Sequence, residues 1–343
     1  MLIPVYAIHP DDLEQQIISA GFKPYRFRQL VKWLYVKAIN NISQMTDLPA
    51  DFKTYLKENY DFSLPSIKQS LTAKDGSTKF VLELRDGELI ECVLMPEGNK
   101  NTLCISSQVG CSFGCAFCAT GKLGHVRNLQ VDEILSQVIL AAQFLQEKKL
   151  TNLVFMGMGE PLDNLDNVVS SIRILQSDYG LQFSPRRMTI STCGVVPKIY
   201  ELAELGIKIK LAVSLNSAID HKRLELMPVT KVYNLVELKQ AIMFFRRQSP
   251  WRITLEYIMI PGFNMDEEDA RALTKFAGDI SCKLNLISYN RVDGLPWRSP
   301  TIKEATAFQE RLRALPIAVT IRKSRGTDIS AACGQLAAQS MNK

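Results

Sequence analysis

Three cysteines, Cys111, Cys115 and Cys118, lie within the stretch GCSFGCAFCATG at the spacing CxxxCxxC. Three thiolates carried by one loop can hold three irons of a four-iron cluster and leave the fourth iron open to a ligand from outside the protein. Structural zinc instead asks for four closed ligands, and no fourth cysteine stands nearby. The one local histidine, His125, sits in a basic, glycine-containing loop, where a lone imidazole is more often simply exposed. The spacing therefore points to an iron-sulfur cluster rather than to zinc or to three unrelated buried thiols. Other groups suited to a ligand recur in GMGEPLDN (157–164), ISTCG (190–194), VSLNS (213–217) and SYNR (288–291). The glycines of GMGE, Gly159 among them, let backbone approach a ligand closely, and Glu160 can accept hydrogen bonds from an ammonium group. Taken singly, Ser191, Ser214, Asn216 and Asn290 read equally well as helix caps.

Their shared position favours a ligand site. From about Thr102 onward, short apolar strands alternate with longer helical segments, the pattern of a parallel α/β domain. Seven strands are expected, at Thr102 to Ser107, Asn152 to Met156, Met188 to Ser191, Ile207 to Leu215, Ile253 to Ile260, Lys283 to Ser288 and Ile317 to Arg322. Helices are clearest at Val131 to Gln146 and Ala305 to Leu315. Each of the four stretches falls at the C-terminal end of a strand, the face on which barrel enzymes assemble their sites from successive loops. The region is slightly short of eight strand-helix units, so a partial (β/α)6-type barrel is the first choice and an open doubly wound sheet the second. This core takes residues 99–343. Residues 1–65 read as a small helical domain, with helices at Asp11 to Ala20 and Tyr25 to Lys37. Residues 66–98 read as a linking antiparallel sheet whose turns fall at Asp75-Gly76 and Asp86-Gly87.

With 343 residues, 46% of them hydrophobic, the chain has material for a sizeable core and a small extra domain. The N-terminus lacks a basic stretch followed by an apolar run, and no run approaches a membrane span, so the expected location is the cytoplasm. There the eight cysteines are ligands, catalysts or small buried hydrophobes rather than a disulfide framework, and Cys92, Cys193 and Cys282 are read as the last of these. A net charge of +6 suits a phosphate-rich partner without requiring one. The segment PYRFRQLVKWLYVK mixes Arg26, Arg28 and Lys32 with aromatics that could stack on bases; the stronger reading puts the aromatics in a core and the cations in water.

The cysteine motif, with Phe117 before its last cysteine, resembles that of the radical S-adenosylmethionine (SAM) superfamily. GMGEPLDN, SPRRMTISTCGVVP, the LMP ending in Pro228 and the terminal RGTDISAACGQLA further resemble the RlmN family of RNA adenine methyltransferases, along nearly the whole chain. That resemblance implies one 4Fe-4S cluster held by Cys111, Cys115 and Cys118, with SAM bound to the open iron and two SAM used per turnover. It implies a methyl group placed on carbon 2 of an adenosine in the peptidyl-transferase region of 23S rRNA, in a protein-poor, pre-assembly state, and on the adenosine 3′ of the anticodon in tRNA. A monomer and a low-potential donor such as flavodoxin go with it. Pro161 after GMGE is similar to RlmN, where the related Cfr branch, which methylates carbon 8, usually has alanine. A Cfr-like enzyme and a radical SAM enzyme acting on a non-RNA substrate are the alternatives.

Carried over by motif, SAM contacts fall on Gly159, Glu160, Ser191, Ser214, Leu215, Asn216 and Asn290. Asn216 replaces a histidine usual in the family, and Ser288 a proline, so ligand contacts are expected to be altered. In the scheme that the resemblance implies, Cys333 first takes a methyl from SAM as a thiolate. A radical derived from a second SAM removes hydrogen from that methyl, and the methylene adds to the adenine carbon. Cys104 then attacks the Cys333 sulfur, forming a disulfide as the methylated base leaves, and Glu91 accepts the ring proton. From the residues alone, Glu91 reads as a solvated hairpin carboxylate, and Cys104 and Cys333 as buried packing, with Cys333 in a tail whose small residues favour mobility. Arg186, Arg187, Arg322, Lys323 and Arg325 are read as phosphate contacts flanking the site, with the target base unstacked to enter it.

Overall fold

The computed structural model describes residues 2–146 and 148–337. The N-terminal segment carries a short strand β1 (Ile3–Pro4), then helices α1 (Pro10–Ser19), α2 (Pro24–Val31) and α3 (Ala50–Asn59), and strand β2 (Tyr60–Asp61), which pairs with β1. Prolines open α1 and α2, where the missing N–H has no partner to lose. From Lys32 to Val36 the chain continues as a wider π-type turn. Phe27, Trp33 and Tyr35 are buried and Arg28 and Lys32 exposed, so of the basic-aromatic segment only Tyr25, with Arg26 over its ring, keeps an exposed aromatic face.

Strands β3 (Ser66–Thr72), β4 (Thr78–Glu83) and β5 (Leu89–Glu97) form an antiparallel meander whose turns place Gly76 and Gly87 at φ of +82° and +85°, as tight hairpins demand. This meander is not a sheet of its own. Strand β5 pairs antiparallel with β6 (Lys100–Ile105), with Val93 opposite Cys104, so meander and core share one ten-stranded sheet. A small hairpin follows, β7 (Gln108–Gly110) and β8 (His125–Asn128), with α4 (Ala119–Lys122) between them.

The rest is regular strand-helix alternation: α5 (Val131–Leu145), β9 (Asn152–Phe155), α6 (Leu165–Gln176), β10 (Met188–Thr192), α7 (Val196–Glu204) and β11 (Lys210–Ser214). Then come α8 (Asp220–Leu226), α9 (Leu235–Gln248), β12 (Ile253–Met259), α10 (Glu267–Ala277), β13 (Cys282–Ser288), α11 (Ile302–Arg311) and β14 (Val319–Arg322). Capping boxes fix several helix starts, for example Asn234 with Glu237 and Thr301 with Glu304. The order β6-β9-β10-β11-β12-β13-β14 is strictly sequential and every neighbour is parallel. A doubly wound sheet requires a reversal of strand order, and there is none; right-handed crossovers without reversal keep the helices on one side and curl the sheet into a partial barrel. The fourth strand is shorter than expected, starting at Lys210 rather than Ile207. No helix among the described residues is long and apolar enough to cross a membrane.

Candidate active site

The three cysteines sit on the loop that β7 and β8 pinch at its base. Cys111 donates its N–H to the Gly124 carbonyl (2.8 Å), and a Cβ on Gly110 would lie 1.9 Å from that same oxygen, so only glycine fits there. Within the loop Cys118 N–H donates to the Cys115 carbonyl (3.0 Å). All three thiols face one cavity at the C-terminal ends of the parallel strands. Burial pushes them up, Cys111 to about 12, so a metal must displace protons that the folded loop retains. Iron uptake by cluster-free protein is therefore expected to strengthen as pH rises from 7 to 9; a flat response in an anaerobic titration would contradict this. Among the described residues no three His, Cys, Asp or Glu side chains are close enough to hold a single metal ion. A cluster makes no such demand, because each thiolate binds its own iron, so the donor set fits a cluster with one iron left open.

The same cavity is lined by Gly159, Glu160, Ser191, Ser214 and Asn216. Gly159 has φ of +94°, and a Cβ there would meet Gln108 at 2.5 Å. Gln108 locks the GMGE turn to the cysteine loop: its side-chain oxygen accepts from Glu160 N–H (2.9 Å) and its amide donates to Asn128 and Asp163. The Glu160 carboxylate accepts from Leu162 N–H (3.1 Å) and Cys193 N–H (2.8 Å); burial pushes its pKa up and these N–H groups pull it back. Asn216 sits at φ of +57°, a conformation asparagine tolerates, and its amide is committed to protein: the oxygen accepts from Ile258 N–H and the nitrogen donates to the Met227 sulfur. Leu215 packs in the core, its carbonyl accepting from Arg223 Nε. Asn290 donates to the Cys333 carbonyl (3.1 Å) and so positions the tail.

Cys333 lines this cavity and also a second, smaller one that contains Cys104, Arg322 and Met156. Every cysteine is a free thiol, and burial pushes Cys104 up to about 12 while Arg322 pulls it down. The tail is more firmly held than its small residues imply. Ala119 N–H donates to the Gly334 carbonyl (2.7 Å), the Thr120 hydroxyl to Leu336 (2.6 Å), and Gln335 to the Arg291 carbonyl (2.8 Å). Glu91 is not solvated: it is 4% exposed, pairs with Lys79 (3.0 Å) and accepts from Ala337 N–H (2.9 Å). Lys79 of β4 and the terminal tail at Ala337 enclose it, and the tail is what a hairpin read in isolation could not reveal.

Arg186 and Arg187 do not flank this site. They precede β10, and residues before a parallel strand lie at the opposite end of the barrel from those after it; Arg187 reaches Asn152, the first residue of β9. Arg322 faces inward, 3.7 Å from Glu256, and Arg325 pairs with Glu97. Glu256 escaped the sequence reading. It is a buried carboxylate on β12, lines the main cavity and accepts from the Ser191 hydroxyl (3.3 Å); its signal was a lone charge within an apolar run, ITLEYIMI. Arg223 gave no signal, since DHKRLEL reads as a solvated helix. It is fully buried and donates to the Cys193 and Leu215 carbonyls and the Thr230 hydroxyl, joining the loops after β10 and β11. Arg223→Met is expected to cost on the order of 3 kcal/mol in denaturant unfolding, because three buried partners lose a charged donor; a loss under about 1 kcal/mol would contradict that role.

A model of the radical SAM superfamily matches residues 105–273, and one described as the ribosomal RNA large subunit methyltransferase N-terminal domain matches residues 5–61. The dual-specificity RNA methyltransferase RlmN of Desulfotalea psychrophila is 44% identical over 97% of this chain and 94% of its own length. The RlmN protein of Campylobacter lari is 41% identical over 91% of this chain and 92% of its own. The crystal structure of a radical SAM methyltransferase from Sphaerobacter thermophilus, 37% identical, superposes with a TM-score of 0.93 over 97% of this chain and 99% of that one. With cysteine loop, GMGE turn and terminal cysteine gathered at one barrel end and these likenesses running nearly end to end, the chain belongs to the RlmN family of the radical SAM superfamily.

Proposed function

We propose that this protein is a radical SAM RNA methyltransferase that places a methyl group on carbon 2 of an adenosine, in 23S rRNA and in the position 3′ of the tRNA anticodon. The observation that carries the reading is the placement of Cys333 on the wall shared by the cysteine-loop cavity and the cavity containing Cys104. Carbon 2 of adenine is electron-poor and cannot attack a methyl cation equivalent, so a polar route is closed. Cys111, Cys115 and Cys118 would hold the cluster, and Gly159, Glu160, Ser191 and Ser214, with Asn216 shaping the wall, would seat SAM beside it. When bound, cluster and SAM supply a carbon-centred radical that abstracts hydrogen.

Cys333 takes a methyl on sulfur, loses one hydrogen from it and presents the methylene to the adenine. Asn290 and the α4 contacts hold that sulfur toward both cavities. Cys104 attacks the Cys333 sulfur: an S–S bond forms, the S–C bond breaks, and its electron pair goes to the carbon, which takes a proton as the methylated base leaves. Arg322 offsets the burial that disfavours the Cys104 thiolate. Before that displacement Glu91 receives the ring proton, which requires the Ala337 N–H to give way. The unpaired electron left on the adduct would return to the cluster that Cys111, Cys115 and Cys118 would hold, replacing the one spent on SAM. The disulfide must be reduced before the next cycle. A flavodoxin-type donor, protein-poor rRNA, a monomeric enzyme and a cytoplasmic setting complete the reading.

Anaerobically reconstituted protein, given SAM, reductant and unmodified rRNA or tRNA, is expected to yield 2-methyladenosine on nucleoside mass spectrometry. Appearance of 8-methyladenosine would move the chain to the Cfr-like reaction. SAM cleavage without any methylated nucleoside would overturn the RNA reading.

A further inference from the structure

The far end of the barrel carries charge that the reaction does not use. Four segments lead into β10, β11, β12 and β13, at 184–188, 205–210, 246–253 and 278–283, and bring Arg186, Arg187, Lys208, Lys210, Arg246, Arg247, Arg252 and Lys283 together there. These eight cations exceed the net charge of +6 of the whole chain. Against them stand Asp279, which is taken by Lys239 (2.6 Å), and, at the ends of α6 and α7, Asp178 and Glu204. Among the described residues none of the eight pairs with a carboxylate. Burial and the neighbouring Lys283, Arg187 and Arg186 push the Lys210 ammonium below its usual range, a sign of like charges left mutually uncompensated. Arg186, Lys208 and Arg247 share one concavity with the half-buried Trp251.

Cations around an aromatic face hold a phosphate backbone and stack an unpaired base without reading sequence. We propose that this end of the barrel, around Arg186, Lys208, Arg247 and Trp251, is a second RNA-docking surface that grips the substrate RNA away from the modified adenosine. The proposal rests on the reading of the substrate as RNA. An acidic electron-donor protein would also complement the charge, but β12 spans seven residues, roughly 20 Å of strand, between this face and the cysteine loop, which places such a donor at the wrong end. Trp251 also favours a base over an acidic protein surface.

The test compares full-length protein with the variant carrying Arg186→Gln, Lys208→Gln and Arg247→Gln, and with Trp251→Ala. Probes are a long rRNA transcript and a short hairpin bearing the target adenosine, too small to reach the far face. For the transcript the triple variant is expected to bind about tenfold or more weakly, and its slope of log K against log salt to flatten by roughly 2. Trp251→Ala is expected to lose roughly tenfold. Hairpin binding and methylation should be unchanged in both. Unchanged transcript affinity and salt slope, or equal losses on transcript and hairpin, would overturn the proposal. So would a defect confined to turnover driven by a protein reductant and absent with dithionite, which would assign the face to the donor. If the unsubstituted enzyme methylates neither RNA, the substrate reading fails rather than this surface.

Discussion

Cys104→Ala protein purified from cells is expected to carry RNA covalently, and to keep it through denaturation and treatment with thiols. The thiol on β6 is 7% exposed and removing it leaves only a small void, so the variant should fold, load its cluster and methylate Cys333. It lacks only the sulfur that opens the thioether. The stalled link runs from Cys333 through one carbon to adenine, and a thioether resists reductants that would clear a disulfide. A denaturing gel with and without ribonuclease reads the adduct. Cys333→Ala should form none, and the double variant should behave like Cys333→Ala, since no methylene carrier remains. Cys104→Ala that is free of RNA yet methylates at the normal rate would show that the two thiols do not act in sequence.

Cys115→Ala should be more damaging and in a different way. With two thiolates left on the loop, iron and sulfide content should fall to near background and turnover by more than about a thousandfold, because no radical can be generated without the cluster. The fold should survive: the loop is pinned at its base by β7 and β8 and by the Gly110–Gly124 contact, none of which uses that thiol. A variant with full iron content and full activity would remove Cys115 from the ligand set.

What the sequence displayed and what it concealed divide by distance along the chain. Strands β6 and β9 to β14 were legible because a parallel core needs apolar runs separated by helices, and the cysteine loop because its three ligands lie within eight residues. Glu160, Ser191 and Ser214 were legible as strand-end residues once the barrel was inferred. The features that escaped depend on partners remote in sequence. Nothing local says that β5 would pair with β6 and set Val93 against Cys104, or that the terminal tail at Ala337 would close over Glu91 beside Lys79. Arg223 reads as solvent-facing until the loops after β10 and β11 close over it. Arg186 and Arg187 were misplaced because the motif around them continues into the site: five residues of strand separate the two ends, and charge alone does not say which end a residue occupies.

The hydrogen bonds from Ala119 and Thr120 to the terminal tail tie two events that chemistry treats as separate. Residues 119 and 120 follow Cys118 directly, so the conformation that presents three thiols to iron is the one that docks residues 334 and 336. Free energy that orders one orders the other, and by linkage the effect runs both ways with equal size. Iron loading is therefore expected to slow proteolysis around residues 334–336, and loss of the Thr120 hydroxyl in Thr120→Val to weaken iron uptake by the loop. On the proposed function, a loaded loop would then hold Cys333 at the barrel mouth more firmly than an empty one, so cluster assembly would favour the step in which that thiol is used.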